Sequence, residues 1–308
     1  MTAGTMSAPR TRRRRNERER REIRAAVGFL APDVAGLTVF LAVPMLLTFV
    51  LGFFRISGFG EYEFIGLANF RRMFGDPQFL GSLGRTAIYL GVLTPVLFVA
   101  ALLLALLVKQ RFPLVGLFRS AFFVPYVVSL VVVGLVWQFV LTDKVGILSR
   151  LVEPLGIAPS WLGDPTFALA SVIAISVWYQ MGYYMIIFLA GLQDIPREYY
   201  EAARIDGAGP WQAFRDVTWP LLKPTSFFVL LTSVIAAITG GFDLIYILTN
   251  GGPANATTVV IIYIFQQAFV FGEFGYAAAM SSFLVLAMLA LSVVIFRVTQ
   301  GGRFSYAD

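Results

Sequence analysis

Residues 87–108 read AIYLGVLTPVLFVAALLLALLV, without one charged side chain. A helix rises 1.5 Å per residue, so about twenty such residues cross the ~30 Å hydrocarbon core of a bilayer. Comparable runs predict membrane spans at approximately 29–54, 84–108, 118–140, 166–190, 224–248 and 276–298. These runs are continuous rather than alternating over segments of about ten residues, which argues against a β-barrel and predicts an all-α bundle. With 58% hydrophobic and 14% charged residues over 308 positions, a soluble domain is excluded.

The chain has no His and no Cys, which removes thiol chemistry, disulfides and the usual zinc ligands. Lys109, Lys144 and Lys223 are its three lysines, and none follows a glycine-rich phosphate loop. If ATP drives this protein, another subunit must bind it.

Residues 1–24 carry nine Arg (Arg10, Arg12, Arg13, Arg14, Arg15, Arg18, Arg20, Arg21 and Arg24) against three Glu, a net of +6 that equals the charge of the whole chain. A basic tail beside an apolar helix reads first as a topology determinant held in the cytoplasm; nucleic acid is disfavoured as a partner. Six spans put both termini on that side. The segments then expected inside hold Lys109, Arg111, Arg197, Arg204, Arg215, Lys223 and Arg303. Those expected outside, 55–83, 141–165 and 249–275, hold Arg55, Arg71, Arg72, Lys144 and Arg150 against Glu61, Glu63, Asp76, Asp143, Glu153, Asp164 and Glu273. Residues 25–308 are expected to form one transmembrane unit. Within it Pro44, Pro95 and Pro125 each remove a backbone donor inside a span and predict kinks.

The longest charge-mixed stretch between apolar runs is EYYEAARIDGAGPWQAFRDVTWPLLKP, 198–224. Pro196 is placed to open a helix through REYYEAARI, with Glu198 and Glu201 near its N-terminal end. DGAG breaks that helix. Pro210 then starts a second one in which Trp211, Phe214 and Val217 share a face, and Pro220 and Pro224 mark the exit into the fifth span. The pattern predicts a compact docking element, 194–220; an amphipathic connector resting on the bilayer is the plainer alternative.

The string EAARIDGAG with the later Pro220 resembles the EAA motif of permease subunits in bacterial ABC importers. Trp219 is bulkier than the residue usually found before that proline. The strings LTNGGPANAT (248–257), YIFQQAF, GYAAAMS (275–281), FIGLANF (64–70) and RSAFFVPYVV (119–128) are similar to those of carbohydrate-type permeases related to maltose and glycerol-3-phosphate uptake systems. The connection 55–83 is too short for the additional external domain of the enteric maltose permease, and that protein's two extra N-terminal spans are missing.

The resemblance implies a six-transmembrane-helix ABC importer permease bundle (type I, MetI-like) in the bacterial plasma membrane. It implies a second homologous permease, an ABC ATPase dimer and an extracytoplasmic solute-binding protein as partners, and a sugar or sugar-like solute as cargo. ATP and Mg2+ would sit on the ATPase and no cofactor on this chain, which would perform no catalysis. Glu198, Glu201, Ala202, Ala203, Asp206, Gly207 and Pro220 would form the coupling surface, with Gly207 making the turn.

Polar groups inside spans are expensive and mark interior faces. Gln180 and Tyr183 in the fourth span, and Ser233, Thr239, Asp243 and Asn250 around the fifth, are therefore candidates for the translocation path. Trp178, Tyr179, Tyr183 and Tyr184 equally suit an interfacial aromatic belt. The NGGPAN loop is either part of an outer vestibule or a tight turn. Two other classes are an ion-coupled secondary carrier, disfavoured by the scarcity of mid-span charge, and a membrane-embedded enzyme, disfavoured by the missing His and Cys.

Overall fold

The computed structural model describes residues 11–299 apart from 58–59, 111–112, 144 and 156–159, with the backbone alone at 11–18, 57, 61 and 155. Arg10, Arg111, Lys144 and Arg303 lie outside the described residues, as do the side chains of Glu61, Arg12, Arg13, Arg14, Arg15 and Arg18.

The chain enters through α1 (Thr11–Leu37), which passes by a π-helical turn (Thr38–Ala42) into α2 (Val43–Leu51). A hairpin of β1 (Phe54–Ser57) and β2 (Glu61–Phe64) follows, then α3 (Ala68–Gly75) and the long α4 (Pro77–Lys109). Next come α5 (Val115–Val127), α6 (Leu130–Val140), α7 (Ile147–Val152) and α8 (Pro165–Gln193). Then α9 (Arg197–Ile205), α10 (Pro210–Ala213), a π-helical turn (Phe214–Thr218) and α11 (Trp219–Leu221) lead into α12 (Lys223–Leu248). The chain closes with α13 (Val260–Phe265), a further π-helical turn (Gln266–Val270) and α14 (Phe274–Val298). Among the described residues five helices are long and apolar enough to cross a membrane, and six if the bent pair α5 and α6 counts as one span.

The prolines act differently from one another. Pro44 cannot donate, and the helix answers with a π turn just before it, in which the Val43 N–H bonds to the Thr38 carbonyl. Pro220 is met in the same way: the Trp219 N–H bonds to the Phe214 carbonyl, so the chain stays helical where an exit was expected. Pro196 precedes α9 as its N-cap instead of opening it as the first helical residue. Pro95 lies within an unbroken α4. At Pro125 the expected span 118–140 does break, with α5 and α6 meeting at 99°. The two carbonyls freed there, on Tyr126 and Val128, both receive the Tyr179 hydroxyl, at 3.3 and 3.2 Å. A distant side chain thus satisfies backbone that hydrocarbon could not.

The core is built around α4 against α8, with α12 laid across them. One buried cluster joins Leu93, Val172, Leu244, Ile245 and Ile262; a second, toward the opposite end, joins Leu97, Ala101, Tyr184, Phe188 and Leu222. The first helix packs on α14 through α2, while Phe29 and Phe40 remain more than 80% exposed, at 86% and 83%. Side chains this apolar and this uncovered suit lipid.

Two connections carry structure, the first expected as a plain loop and the second, around NGGPAN, as a tight turn or part of a vestibule. The hairpin pairs Phe54 with Phe64 and Arg55 with Glu63, whose side chains meet at 2.6 Å. Asn69, from FIGLANF, is buried and donates to the carbonyls of Gly52 and Phe54 at 3.0 and 2.9 Å, fixing the end of the first span to α3. The connection after α12 is a turn stapled by threonines: Thr257 Oγ1 donates to the Gly252 carbonyl at 2.7 Å and Thr258 Oγ1 to that of Gly251 at 2.8 Å.

Asp76 draws three elements together at this end. It caps α4 by accepting the Gln78 N–H at 2.9 Å, and its other oxygen accepts the hydroxyls of Tyr263 and Tyr276, each at 2.7 Å. Burial opposes its ionisation, but these hydrogen bonds outweigh the burial and hold the carboxyl below the ordinary Asp range. A depressed pKa stabilises the fold above the unfolded value and is lost as pH falls through the folded one. Acidification below about pH 4 should therefore lower the melting temperature of the protein, and Asp76→Asn should lower it at neutral pH while flattening its acid dependence. Tyr276→Phe should cost about 1.5–3 kcal/mol, one hydrogen bond to a charged acceptor, read by thermal unfolding in detergent.

Candidate functional site

Two surfaces hold the residues singled out in the sequence. The first is the 194–220 element, at the end of the bundle where α4 finishes. Its helix α9 stops on Gly207, whose φ of +79° is a left-handed conformation that suits glycine. The closing bonds run from Asp206 N–H to Ala202 O (3.0 Å), Gly207 N–H to Arg204 O (3.1 Å) and Ala208 N–H to Ala203 O (2.8 Å). Gln212 then caps α10 by accepting the Gly209 N–H at 2.9 Å. Trp211 stacks on Phe214 at 5.6 Å, yet Trp211 is 70% exposed and only Phe214 and Val217 of the predicted face turn to the core. Arg215 pairs with Asp216 beside it, and that hydrogen bond holds Asp216 below its ordinary range.

Glu198, Glu201, Ala202, Asp206 and Gly207 are exposed, whereas Ala203 and Pro220 are half-buried. Beside them Ile205 is 87% exposed. The back of the element is fixed by Tyr200, which the sequence reading passed over. Lys109 Nζ, at the end of α4, donates to the Tyr200 hydroxyl at 3.2 Å, and that hydroxyl shares a hydrogen bond with Thr218 Oγ1 at 3.0 Å. One face is thus tied to the end of α4 and, within the element, to the π-helical turn that leads toward α12, and the other presents carboxylates and apolar side chains to the outside.

The second surface is a cavity of about 380 Å³ between α4, α8, α12 and the bend of α5 and α6. Gln180, Thr239 and Asp243 line it together. They are joined by Tyr126, Tyr179, Ser176 and Tyr89, the last two sharing a hydrogen bond of 3.1 Å. Tyr183 stands beside the cavity with its ring stacked on Tyr126 at 4.4 Å. The other two path candidates are elsewhere. Ser233 is buried and returns its hydroxyl to the Leu230 carbonyl at 3.0 Å; Asn250 is exposed in the turn after α12, at φ +47°. Among the belt candidates, Tyr184 is buried in the core and Trp178 meets Trp137 edge-on at a separate apolar pocket. Tyr126 was missed as a lining residue because its place depends on the bend, and Ser176 because a serine in a helix normally bonds its own backbone. Rings with one hydroxyl, an amide, two hydroxyls and a carboxylate around a half-open space can bind a hydroxyl-rich solute by stacking and hydrogen bonding.

Residues 73–300 match the family described as binding-protein-dependent transport system inner membrane component. The chain is 35% identical over 287 residues to the probable ABC transporter permease protein YurN of Bacillus subtilis (strain 168), covering 89% of this chain and 96% of the relative. It is 36% identical over 280 residues to the lactose transport system permease protein LacF of Rhizobium radiobacter, covering 87% and 91%. In fold it is similar to a chain of a bacterial alginate ABC transporter solved in complex with an alginate pentasaccharide-bound periplasmic protein. That similarity has a TM-score of 0.81 at 22% identity, over 93% of this chain and 99% of the other. A multi-pass helical membrane protein whose sequence matches that family over most of its length is a transport permease, and this chain belongs to the binding-protein-dependent transport system inner membrane components.

Proposed function

We propose that this chain and a second, similar permease together form the translocation pathway of an ATP-driven importer for a sugar or sugar-like solute. It lies in the bacterial plasma membrane as a type I, MetI-like bundle, with both termini cytoplasmic. A separate ABC ATPase dimer drives it through 198–220, and an extracytoplasmic binding protein delivers the solute at the opposite end.

The observation that carries this reading is the two-sided character of the 194–220 element. Tyr200 holds its back to α4 through Lys109 and braces α9 against the π-helical turn at Thr218, so the element can move as one piece with the end of α4. Its front leaves Glu201, Ile205 and Trp211 largely exposed, as a surface meant for another protein would. A sugar-like cargo is supported by the tyrosine-lined cavity and by the name of the lactose permease relative.

The absence of native Cys makes a direct test simple. Ile205→Cys should cross-link to the ATPase subunit in membranes of cells expressing the whole transporter. Leu289→Cys, 58% exposed midway along α14, should not. Equal yields at the two positions, or a product at 289 alone, would contradict the assignment, and no product at either position would favour an ion-coupled carrier.

A further inference from the structure

We propose that Asp243 makes the cavity a charge filter, which admits neutral hydroxyl-rich solutes and turns away sugars bearing phosphate or carboxylate. This rests on the permease reading above and narrows its cargo. Asp243 lines the cavity wall close to where α12 ends. Among the described residues no Lys or Arg lines the cavity, and none lies within ion-pair distance of this carboxylate.

The remaining polar groups are neutral. The Gln180 amide keeps a second N–H and its oxygen beside the 3.3 Å bond it donates to the Ser176 carbonyl, whereas the Thr239 hydroxyl donates its one O–H to the Ile235 carbonyl at 3.0 Å and is left as an acceptor. An ionised carboxylate can accept two neighbouring hydroxyls of one sugar ring, a charge-assisted contact stronger than a neutral pair. The exposed Tyr126 ring, stacked on Tyr183, offers an apolar face for the ring carbons of the same sugar. A phosphate or carboxylate entering this space meets a like charge with no cation to offset it. Between partly buried charges a few ångströms apart, that repulsion lowers affinity by about tenfold or more.

The test compares matched pairs: maltose with maltobionate and lactose with lactobionate, in which one terminal carbon is a carboxylate. Binding of each to the whole transporter in nanodiscs is followed by saturation-transfer NMR at low salt. Wild type should favour the neutral member at least about tenfold, and Asp243→Asn, which keeps the shape and removes the charge, should bring the ratio within about threefold. Thr239→Val should weaken both members alike and leave the ratio unchanged.

Equal binding of neutral and acid forms by wild type, or an unchanged ratio in Asp243→Asn, would overturn the filter. If no disaccharide binds while a loaded binding protein still stimulates ATP hydrolysis, the cavity assignment falls and the importer reading stands. If that stimulation is missing too, the importer reading falls with it.

Discussion

Gly207→Pro should reduce ATP-driven uptake by at least about a hundredfold while the bundle stays folded. Proline fixes φ near −65° and cannot follow the +79° backbone of Gly207, and it also deletes the N–H that bonds to Arg204 O at 3.1 Å. That combination costs about 3 kcal/mol or more, enough to depopulate the turn by roughly two orders of magnitude. No atom stands within 4 Å of a Cβ built at Gly207, so the penalty is local backbone strain with no clash to spread it. Gly207→Ala should give an intermediate loss, since an L-residue in this region costs about 1–2 kcal/mol. Uptake in proteoliposomes and thermal unfolding of the same preparations separate the effects. Full uptake in the proline variant would remove this element from the coupling route.

Gly182→Val should have the largest effect on the fold itself. Gly182 lies in α8 where it crosses α5, and a Cβ there would run into the carbonyl of Phe122 and its neighbouring backbone. Backbone cannot rotate aside as a long side chain does, so overpacking by even one carbon costs about 1–3 kcal/mol, and valine more. This crossing sits one turn from the bend, where Tyr126 meets Tyr179 and Tyr183. Forcing the helices apart opens the cavity wall as well as weakening the core. The melting temperature should fall by roughly 5–10 °C, at about 2–4 °C per kcal/mol for a chain of this order of size. Gly84→Ala in α4 is the matched control: its Cβ meets nothing within 4 Å, and alanine favours a helix by about 1 kcal/mol over glycine. Equal melting temperatures for the two variants would contradict the close α5 and α8 crossing.

The long apolar runs were readable as membrane helices because twenty uncharged residues leave a chain few other solutions. What the prolines would do was not readable. Pro44 and Pro220 each follow a π-helical turn that keeps the chain helical, whereas Pro125 stands near a break whose carbonyls meet Tyr179 from another helix. The hairpin escaped notice because four residues per strand are too few for an alternating pattern to stand out among apolar neighbours.

The cavity was half legible for a related reason. Gln180, Thr239 and Asp243 stand out as polar groups in apolar surroundings, and the fold gathers all three. Ser233 has the same signal and a different fate, since its hydroxyl returns to its own helix in the core. Tyrosine gives no clear signal in either direction: Tyr179 and Tyr126 line the cavity, while Tyr184 fills the core. In the 194–220 element Glu198, Glu201, Ala202, Asp206 and Gly207 of the motif are exposed while Ala203 and Pro220 are half-buried, and Tyr200 gained its importance through Lys109 and Thr218, ninety-one and eighteen residues away in sequence.

The central claim is that a separate ATPase drives this chain through 198–220. Its most direct test is ATP hydrolysis by the assembled transporter in nanodiscs, with and without the solute-loaded binding protein, in wild type and in Gly207→Pro. The account predicts hydrolysis that the loaded binding protein stimulates in wild type and fails to stimulate in the variant. Solute accumulation that proceeds without ATP, or stimulation of equal size in both proteins, would contradict it.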